Sequence, residues 1–366
     1  FNEEVRRETS LPDKVALHDA TLRDGEQTPG VVFRKEEKIA IARMLDAVGV
    51  DRIEAGMPAV SQEDAEAITE ISSLGLKSKV MVFSRAMPED IDRAVQCGVW
   101  GIVIEVPGGL PRLKYQFKWS EDEIIERSVR AVSYAKDKGL FVNFFPYDTT
   151  RADLPFLKRL VGEVVGRAGP DSVSVVDTTG CILPRAMRFL VGELRREIDI
   201  PIEVHTHNDL GLGIANALAA VEAGAQVVHV CINGLGERCG NAALEEMAVS
   251  LKALMGLDLP IKFEKLSELS RMVEELSGVR LAANKPLVGD ISFTRESGLG
   301  IDVLLREPRV GFSIHPEFVG RKFRVVLGKK SGKPSIELKV KRRSIEKKAW
   351  LEEGEFREIV KDVLGR

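Results

Sequence analysis

The segment EVHTHND (203–209) holds two of the five histidines of this 366-residue chain, His205 and His207, only two positions apart. In an extended segment, side chains at positions i and i+2 point to the same face. Both imidazoles can therefore face one site, and imidazole nitrogens are good ligands for divalent cations. The alternative is a pair of structural histidines held by hydrogen bonds, and the pair alone does not separate the two.

Two further residues would complete such a site. Asp24 follows the apolar run VALHD (15–19), and Asn241 lies in INGLGERCGNAALEE (232–246), after the last apolar run of the series. Two imidazoles, a carboxylate and an amide oxygen suit Mn, Zn, Co or Mg and leave coordination positions open for substrate and water. His18 and His229 lie within apolar runs and are expected to be packing or supporting groups. The predicted metal ligands are Asp24, His205, His207 and Asn241.

Eight short apolar runs precede residue 240, and amphipathic stretches of helical length lie between them. Several runs are rich in Val and Ile, as buried parallel strands are. The alternation predicts a (β/α)8 TIM barrel; the alternative is an open doubly wound sheet, but the count of eight and the absence of GxGxxG after the first run favour the barrel. The active site of such a barrel lies at the carboxyl ends of its strands, where the candidate ligands fall. The runs are 15–19, 50–56, 79–83, 101–106, 140–145, 172–177, 202–205 and 227–234.

The pattern changes after about residue 255. Residues 280–366 are punctuated by glycine, contain basic segments and end in a charged stretch with helical character, 344–366. We predict a catalytic barrel over residues 1–279 and a smaller α/β accessory region over 280–366. Because the accessory region looks too small to be self-sufficient, we expect it to pack over the barrel mouth of a neighbouring subunit in a homodimer.

Composition excludes several other classes of protein. A formal net charge of -3 gives no reason to expect nucleic acid or an anionic membrane as the main partner. No apolar run approaches the roughly 20 residues that span a bilayer. The four cysteines are too few for a disulfide scaffold and lack zinc-finger spacing. We therefore expect a cytoplasmic protein.

Five motifs together carry a resemblance to a known family. They resemble the metal-dependent, pyruvate-carboxylase-like TIM-barrel family, also called DRE-TIM metallolyases or HMGL-like proteins, which includes 2-isopropylmalate, homocitrate and citramalate synthases and hydroxymethylglutaryl-CoA lyase. NKPLVGD and VLGKKSG also look like the region that follows the barrel in the synthases, so the resemblance covers nearly the whole chain. The five motifs are LRDGEQTPG, IEAGMP, DTTG, HTHNDLGLGIANALAAVEAGA and NGLGERCGNAALEE.

The resemblance implies a cation-dependent Claisen condensation of an acyl-CoA, acetyl-CoA being the expected one, with a 2-oxo acid. The product would be a 2-hydroxy dicarboxylic or tricarboxylic acid. Arg23 would bind the oxo acid and stabilise the negative charge that develops on it. Gln27 and Glu54 would help to hold the site.

The resemblance also assigns residues from later strand ends. Thr178, in DTTG, would hydrogen-bond the carboxylate of the oxo acid. Glu237 and Arg238 would line the acyl-CoA side and take part in proton transfer. Cys239 stands beside them, either as a small space-filling residue, which we favour, or as a catalytic thiol like the one in the lyase branch.

The chain departs from the synthase pattern where acid–base groups are expected. Arg295 and Gly300 stand where the synthases have histidines that are delivered from the partner subunit. Phe145 and Tyr147 replace the serine and glutamate of a Ser-Pro-Glu-Asp run, which adds aromatic bulk to the pocket. Asn143 replaces an arginine of homocitrate synthases, which argues against a long dicarboxylic oxo acid held in that mode. The substrate is therefore expected to be non-standard.

Strand 4 ends in EVPGG instead of a histidine-containing loop. Its Glu105 either takes over a proton-transfer role or is simply a paired carboxylate. Two other functions remain as alternatives: a carbon–carbon lyase or aldolase on the same scaffold, which would not need the missing histidines, and a non-catalytic barrel that binds a metal or metabolite.

Overall fold

The computed structural model describes residues 1–297, 300–329, 331–332 and 335–337. Within them, eight parallel strands close into a barrel in which each strand pairs with the next and the eighth pairs with the first. This closure confirms the (β/α)8 TIM barrel and excludes the open sheet. The strands are β1 (Ala16–Asp19), β2 (Arg52–Glu54), β3 (Lys79–Arg85), β4 (Gly101–Pro107), β5 (Phe141–Tyr147), β6 (Ser172–Asp177), β7 (Ile202–Thr206) and β8 (Val227–Val230).

The strands are apolar because both of their faces are shielded from water. All six residues of β6 are buried, and β3 has five buried residues in succession. Helices cover the outer face of a barrel and side chains fill its interior, so the polar alternation of a half-exposed strand is lost. Each of the eight apolar runs of the sequence accordingly overlaps one strand.

Several helices begin and end at the residues that their capping signals indicate. Ser61 Oγ accepts a hydrogen bond from the backbone N–H of Asp64, and Ser120 and Glu123 form a reciprocal capping box. Gly49 ends the first barrel helix with a φ of 98°. The helices are α1 (Asn2–Glu8), α2 (Lys35–Val48), α3 (Gln62–Ser73), α4 (Pro88–Gln96), α5 (Glu121–Asp137), α6 (Leu154–Ala168), α7 (Pro184–Arg195), α8 (Gly213–Glu222), α9 (Leu244–Ala253), α10 (Leu266–Ser277) and α11 (Ile301–Arg306).

Some short elements escape sequence prediction. The helices α1, α4 and α9 have at most ten residues, too few for a clear apolar periodicity. A π-helical turn at Arg112–Phe117 follows β4 in a stretch without a recognisable pattern. None of the helices in the described ranges combines the length and apolar character that a bilayer crossing needs.

The barrel interior contains a buried polar layer. The amide of Asn143, on β5, donates to Ser172 Oγ at 2.9 Å and accepts from Ser174 Oγ at 2.9 Å. Both ends of this buried amide are thus satisfied inside the protein. Asn143 is therefore a structural group here.

Internal contacts divide the chain into two compact units. The first comprises residues 1–262 and 269–280, and the second comprises 263–268 and 281–366. We predict a catalytic barrel over residues 1–279 and an accessory region over 280–366. The roles of these two parts stay predictions.

The described part of the second unit is a small α/β arrangement. Thr294–Arg295 and Arg324–Val325 pair as a two-stranded parallel sheet. Ile301 and Leu304, on α11, form an apolar cluster with Val325. The charged stretch predicted to be helical at the end of the chain lies outside the described residues.

Candidate active site

The carboxyl ends of three strands bring the predicted metal ligands together. Asp24 follows β1 and begins a 3-10 turn at Gly25–Gln27. His205 lies in β7 and His207 directly after it, and an isolated bridge pairs His207 with Asn241 in the loop after β8. All four ligand candidates are buried.

The polar atoms of these residues converge. Asp24 Oδ2 lies 3.0 Å from His205 Nε2 and 3.6 Å from His207 Nε2. The two Nε2 atoms are 3.3 Å apart, and the amide nitrogen of Asn241 donates to Asp24 Oδ2 at 3.0 Å. Asp24, His205 and His207 form one of two His/Cys/Asp/Glu groups in the described residues that are close enough to hold a metal ion.

Two oxygen atoms of this cluster lack protein partners. Among the described residues, Asp24 Oδ1 and Asn241 Oδ1 are buried and accept no hydrogen bond. Such atoms cost free energy unless a donor or a cation satisfies them. A carboxylate, an amide oxygen and two imidazoles form a donor set suited to a divalent cation. The residues present therefore fit the metal that the sequence predicts.

The protonation states of the cluster also suit a cation. Burial by itself raises the pKa of Asp24, but Arg23 and the nearby imidazoles outweigh it and hold that pKa well below its ordinary value. Burial, and then His205, lower the pKa of His207 to about 4. Near neutral pH these groups are an ionised carboxylate and a neutral imidazole, the forms that bind metals.

Close backbone packing holds Asn241 in the cluster. Gly236 has a φ of 144°, and a Cβ at this position would lie 2.2 Å from Asn241 Nδ2. Gly240 has a φ of 79°, and its Cβ would lie 1.8 Å from the carbonyl oxygen of Gly234. Only glycine fits these positions, which explains the glycine spacing of NGLGERCGN.

A Gly236→Ala substitution is expected to weaken binding of a divalent cation about 10–100-fold, the usual effect of disturbing a group that supports a metal site. The added methyl group would push the Asn241 amide aside. Calorimetric titration of the metal-free protein with Mn²⁺ measures the effect. Gly139→Ala is the matched control, because Gly139 also has a positive φ of 80° but nothing lies near its Cβ. Equal affinities for Gly236→Ala and the wild type would show that Asn241 is not a ligand.

Arg23 lies beside the cluster in a fixed position. Its Nε donates to Glu54 Oε1 at 2.5 Å, and its guanidinium stacks 4.2 Å from the centre of the Phe83 ring. Nη1 is 3.7 Å from Asp24 Oδ2, whereas the buried Nη2 has no partner among the described residues. Burial opposes ionisation of Glu54, but Arg23 outweighs it and the pKa of Glu54 falls to about 2. The pair is therefore ionised, and the Nη2 amino group of Arg23 remains available as a donor.

Gln27 and Thr178 border the same cavity. Gln27 Oε1 accepts a 3.4 Å hydrogen bond from Arg23 Nη1. Thr178 Oγ1 accepts a hydrogen bond from the backbone N–H of Asp148 at 2.7 Å. Because that bond uses a lone pair of the hydroxyl, the hydroxyl proton of Thr178 remains free to donate to a ligand.

Glu237 and Arg238 lie on the loop after β8, and both are exposed. Arg238 makes a bidentate ion pair with Asp209 at 2.7 and 3.0 Å and donates to the carbonyl oxygen of Thr178 at 2.6 Å. It also pairs with Glu237 at 2.9 Å. Arg238 thus ties the loops after β6, β7 and β8 together, and its role toward a substrate stays a prediction. Glu237 borders the cavity.

Glu105 and Tyr147 border the cavity at the ends of β4 and β5. In the part of the chain that the structure describes, Glu105 makes no hydrogen bond or ion pair, so the alternative of a paired carboxylate is not what is observed. Burial raises the pKa of Glu105. Burial, and then Glu105, raise the pKa of Tyr147 to about 12, so the phenol keeps its proton. Glu105 is thus an unpaired carboxyl group, and Tyr147 is a protonated phenol.

The cavity that these residues border has a volume of about 630 Å³. Phe83, Phe145 and Val176 form its apolar wall, together with the half-buried Met57. The Phe145 ring meets the His205 ring edge to face, with centroids 5.5 Å apart. One side of the candidate metal centre is therefore lined by aromatic carbon.

Sequence reasoning missed four polar residues of the cavity, Glu26, Asp64, Arg112 and Gln116. Arg112 and Gln116 reach it from the π-helical turn after β4. They lie six and more residues beyond the nearest predicted strand, in a segment whose path no local pattern indicates. The interpretation of Cys239 as a small space-filling residue is wrong, because Cys239 is exposed and fills no interior space.

The chain is similar in sequence to one protein family and to several named synthases. The model of the HMGL-like family matches residues 14–273. Homocitrate synthase AksA of Methanopyrus kandleri is 43% identical over 363 residues, which cover 99% of this chain and 89% of that protein. The 2-isopropylmalate synthase of Methanocaldococcus jannaschii is 45% identical, covering 97% and 68%, and the (R)-citramalate synthase CimA of the same organism is 42% identical, covering 89% and 66%.

Solved structures show the same fold at lower identity. The hydroxymethylglutaryl-CoA lyase of Bacillus subtilis superposes with a TM-score of 0.66 at 20% identity, covering 74% of this chain and 96% of that one. The corresponding lyase of Pseudomonas aeruginosa gives a TM-score of 0.65 at 22% identity, covering 74% and 95%. At this identity the likeness concerns the fold alone.

Proposed function

The chain belongs to the HMGL-like family, and from this premise we propose that it joins an acyl-CoA to a 2-oxo acid in a divalent-cation-dependent condensation. The family resemblance predicted from the motifs is thereby confirmed, and the curated relatives above are synthases by name. The observation that carries the proposal is the buried cluster of Asp24, His205, His207 and Asn241 with Arg23 beside it.

Asp24, His205, His207 and Asn241 would hold the cation. When bound there, a divalent cation supplies Lewis-acid polarisation of a carbonyl group. Arg23 lines the same cavity, its Nη2 amino group has no partner among the described residues, and it would stabilise negative charge on the keto oxygen of the oxo acid. Glu54 holds the guanidinium in place, so the charge is preorganised before substrate arrives.

Recognition of the oxo acid carboxylate would fall to Thr178 and Gln27. The Thr178 hydroxyl has its proton free because the backbone N–H of Asp148 already occupies a lone pair. A carboxylate is an acceptor only, so it matches this donor. Gln27 would orient Arg23 and contribute its amide at the same edge.

Glu105 is the base that we assign to the methyl group of acetyl-CoA. It reaches the cavity without a protein partner, and burial raises its pKa, which makes it a stronger base than an exposed glutamate. Tyr147 would donate a hydrogen bond from its protonated phenol. Glu237 and Arg238 would border the acyl-CoA from the loop after β8.

The apolar wall points to an oxo acid with an uncharged substituent. Phe145 contacts the ring of His205, so any group next to the keto carbon on this side meets aromatic carbon. A carboxylate placed there would lose its hydration without gaining a partner. We therefore propose an aliphatic or aromatic 2-oxo acid as the acceptor, in place of a long dicarboxylic one.

Phe145→Ser is expected to lower the preference for apolar over carboxylate-bearing 2-oxo acids, measured as the ratio of kcat/KM values, by about 10–100-fold. This is the effect of about 1.5–3 kcal/mol of apolar burial. Phe141→Ser is the matched control: it changes the same residue type at the opposite end of β5, where Phe141 stacks on Trp100. If Phe145→Ser left this ratio of kcat/KM values unchanged, the substituent of the oxo acid would not contact Phe145.

The proposed function is tested by release of free CoA from acetyl-CoA with a panel of 2-oxo acids and metal-reconstituted protein. Release with at least one apolar oxo acid is the expected result. Absence of release with every oxo acid, together with cation-dependent cleavage of a 3-hydroxyacyl-CoA or a 4-hydroxy-2-oxo acid, would establish the lyase or aldolase alternative. A protein that binds Mn²⁺ but turns over none of these compounds would be the non-catalytic barrel.

The assembly and location of the protein stay predictions. We propose a homodimer in the cytoplasm, in which the accessory region packs over the partner's barrel mouth. Light scattering at working concentration measures the oligomeric state, and a monomer would contradict the proposed homodimer.

A further inference from the structure

A buried chain of polar groups runs from the candidate metal site into the barrel interior. His205 Nδ1 lies 3.3 Å from Nδ1 of His229, on β8, and His229 Nε2 lies 2.8 Å from Glu203 Oε2, on β7. The other oxygen of Glu203 accepts from Ser172 Oγ at 2.5 Å and from Arg52 Nη1 at 2.6 Å. The side chains of His229 and Glu203 are fully shielded from solvent.

These contacts fix where the ring protons lie. A carboxylate only accepts, so His229 must donate from Nε2 to Glu203. A neutral His229 then has a lone pair at Nδ1, and the contact between the two Nδ1 atoms is a hydrogen bond only if His205 donates from its Nδ1. That tautomer leaves the Nε2 lone pair of His205 free, and Nε2 is the nitrogen that lies among Asp24 and His207.

We propose that His229 and Glu203 are positioning residues that hold His205 in the tautomer and orientation needed to bind the cation. The inference rests on the proposed metal site but not on any substrate or reaction. Partners of this kind, which take the second ring proton of a metal-binding histidine, set its orientation and basicity. Here the partner of His205 is His229, which is itself hydrogen-bonded to Glu203. The carboxylate of Glu203 therefore acts on His205 through the ring of His229.

The two metal-site histidines differ in this support. His207 Nδ1 is buried and has no hydrogen-bond partner among the described residues. His229 and Glu203 therefore support His205 alone. Loss of their support should weaken cation binding without abolishing it.

His18 offers a matched control within the same layer. Its ring stacks on His229 with centroids 4.2 Å apart, and its Nε2 lies 3.2 Å from Glu54. Its Nδ1 lies 3.7 Å from Glu203. His18 thus shares the burial and the acidic neighbours of His229, but in the described structure it makes no hydrogen bond to His205.

The first experiment reads the tautomers directly. Long-range ¹H–¹⁵N spectra of protein labelled with ¹⁵N-histidine and loaded with Zn²⁺ distinguish protonated from unprotonated ring nitrogens. We expect His229 to carry its proton on Nε2 and His205 to carry its proton on Nδ1. A proton on Nδ1 of His229 in the loaded protein would overturn the inference. This measurement uses the wild-type protein, so it does not depend on whether a variant folds.

The second experiment measures Mn²⁺ affinity by calorimetry on metal-free protein. His229→Phe keeps an aromatic ring but removes both ring nitrogens, and should weaken binding about 10–100-fold. Glu203→Gln retains an acceptor but loses the charge, so its affinity should fall between those of the wild type and His229→Phe. His18→Phe should bind within about threefold of the wild type, a change well below that range.

Two outcomes of the calorimetry would overturn the proposal. One is a His229→Phe affinity no weaker than that of His18→Phe. The other is a stoichiometry of two cations per chain that falls to one in His229→Phe, since His18, Glu203 and His229 would then be a metal site themselves. Neither readout involves turnover, so an enzyme inactive with every 2-oxo acid would refute the proposed function and leave this inference standing.

Discussion

Asp24→Asn is expected to lower kcat/KM for the condensation at least about a thousandfold. The substitution keeps the size of the side chain but removes the one negative charge among the four candidate ligands. Polarisation of a carbonyl by a cation contributes several kcal/mol to transition-state stability, and about 4 kcal/mol corresponds to roughly a thousandfold in rate. Free CoA release at fixed Mn²⁺ and oxo acid concentrations measures the loss.

A binding measurement separates loss of the cation from loss of the fold. A ligand present at about 100 times its Kd stabilises the folded protein by about 2.7 kcal/mol. Mn²⁺ should therefore raise the unfolding temperature of the wild type and have a smaller effect on Asp24→Asn at the same concentration. If Asp24→Asn kept both the Mn²⁺-dependent stabilisation and the activity, the assignment of Asp24 as a ligand would be wrong.

Asp51→Asn provides the matched control. Asp51 precedes β2, at the amino-terminal end of the barrel, where its Oδ2 accepts a hydrogen bond from the backbone N–H of Leu17 at 2.9 Å. Asparagine offers an oxygen for the same bond, so the fold should persist. Asp51→Asn should retain the activity and the Mn²⁺ response of the wild type, which would tie the effect of Asp24→Asn to its position.

The proximity of the four candidate metal ligands could be predicted from sequence because it depends on two local rules. Residues two apart in a strand share a face, which pairs His205 with His207. The carboxyl ends of barrel strands meet at one edge, which brings in Asp24 and Asn241 from β1 and the loop after β8. Both rules can be applied without knowing the path of a long loop. In the structure all four residues lie close together.

The rest of the site depends on contacts that no local rule gives. Arg112 reaches the cavity only because a π-helical turn redirects the chain after β4. The resemblance implies a substrate role for Arg238, yet its guanidinium pairs with Asp209 and donates to the carbonyl oxygen of Thr178. The link between His229 and His205 depends on the register of β7 and β8, in which Val204 pairs with Val228. Sequence does not give this register, so it could suggest only a supporting role for His229.

Glu105→Gln is expected to lower kcat about 10²–10⁴-fold while changing KM for the acyl-CoA little, because it removes a base without removing bulk. A glutamine cannot accept the methyl proton of acetyl-CoA. Removal of that proton should then limit the rate, so the isotope effect with acetyl-CoA deuterated in the methyl group should increase. Glu105→Asp, which keeps the carboxylate on a shorter side chain, should recover part of the activity.

The pH dependence of the wild type gives an independent test of the same base. Burial raises the pKa of Glu105 more than Arg23, Arg85 and Arg112 lower it, and Asp90 adds to the increase. A base must be deprotonated to act, so kcat/KM should fall as the pH drops through this raised pKa, above the range of an ordinary glutamate. The fall should be absent from the residual activity of Glu105→Gln.

A comparison with Glu237 decides between two of the carboxylates that border the cavity, Glu105 and Glu237. Glu237 is exposed and pairs with Arg238 at 2.9 Å, so its charge is partly neutralised and well hydrated. Glu105 has neither a partner in the described residues nor full hydration, which favours it as the stronger base. Glu237→Gln should therefore lose less activity than Glu105→Gln and leave the isotope effect unchanged. The reverse order, with the larger isotope effect in Glu237→Gln, would move the base to the loop after β8.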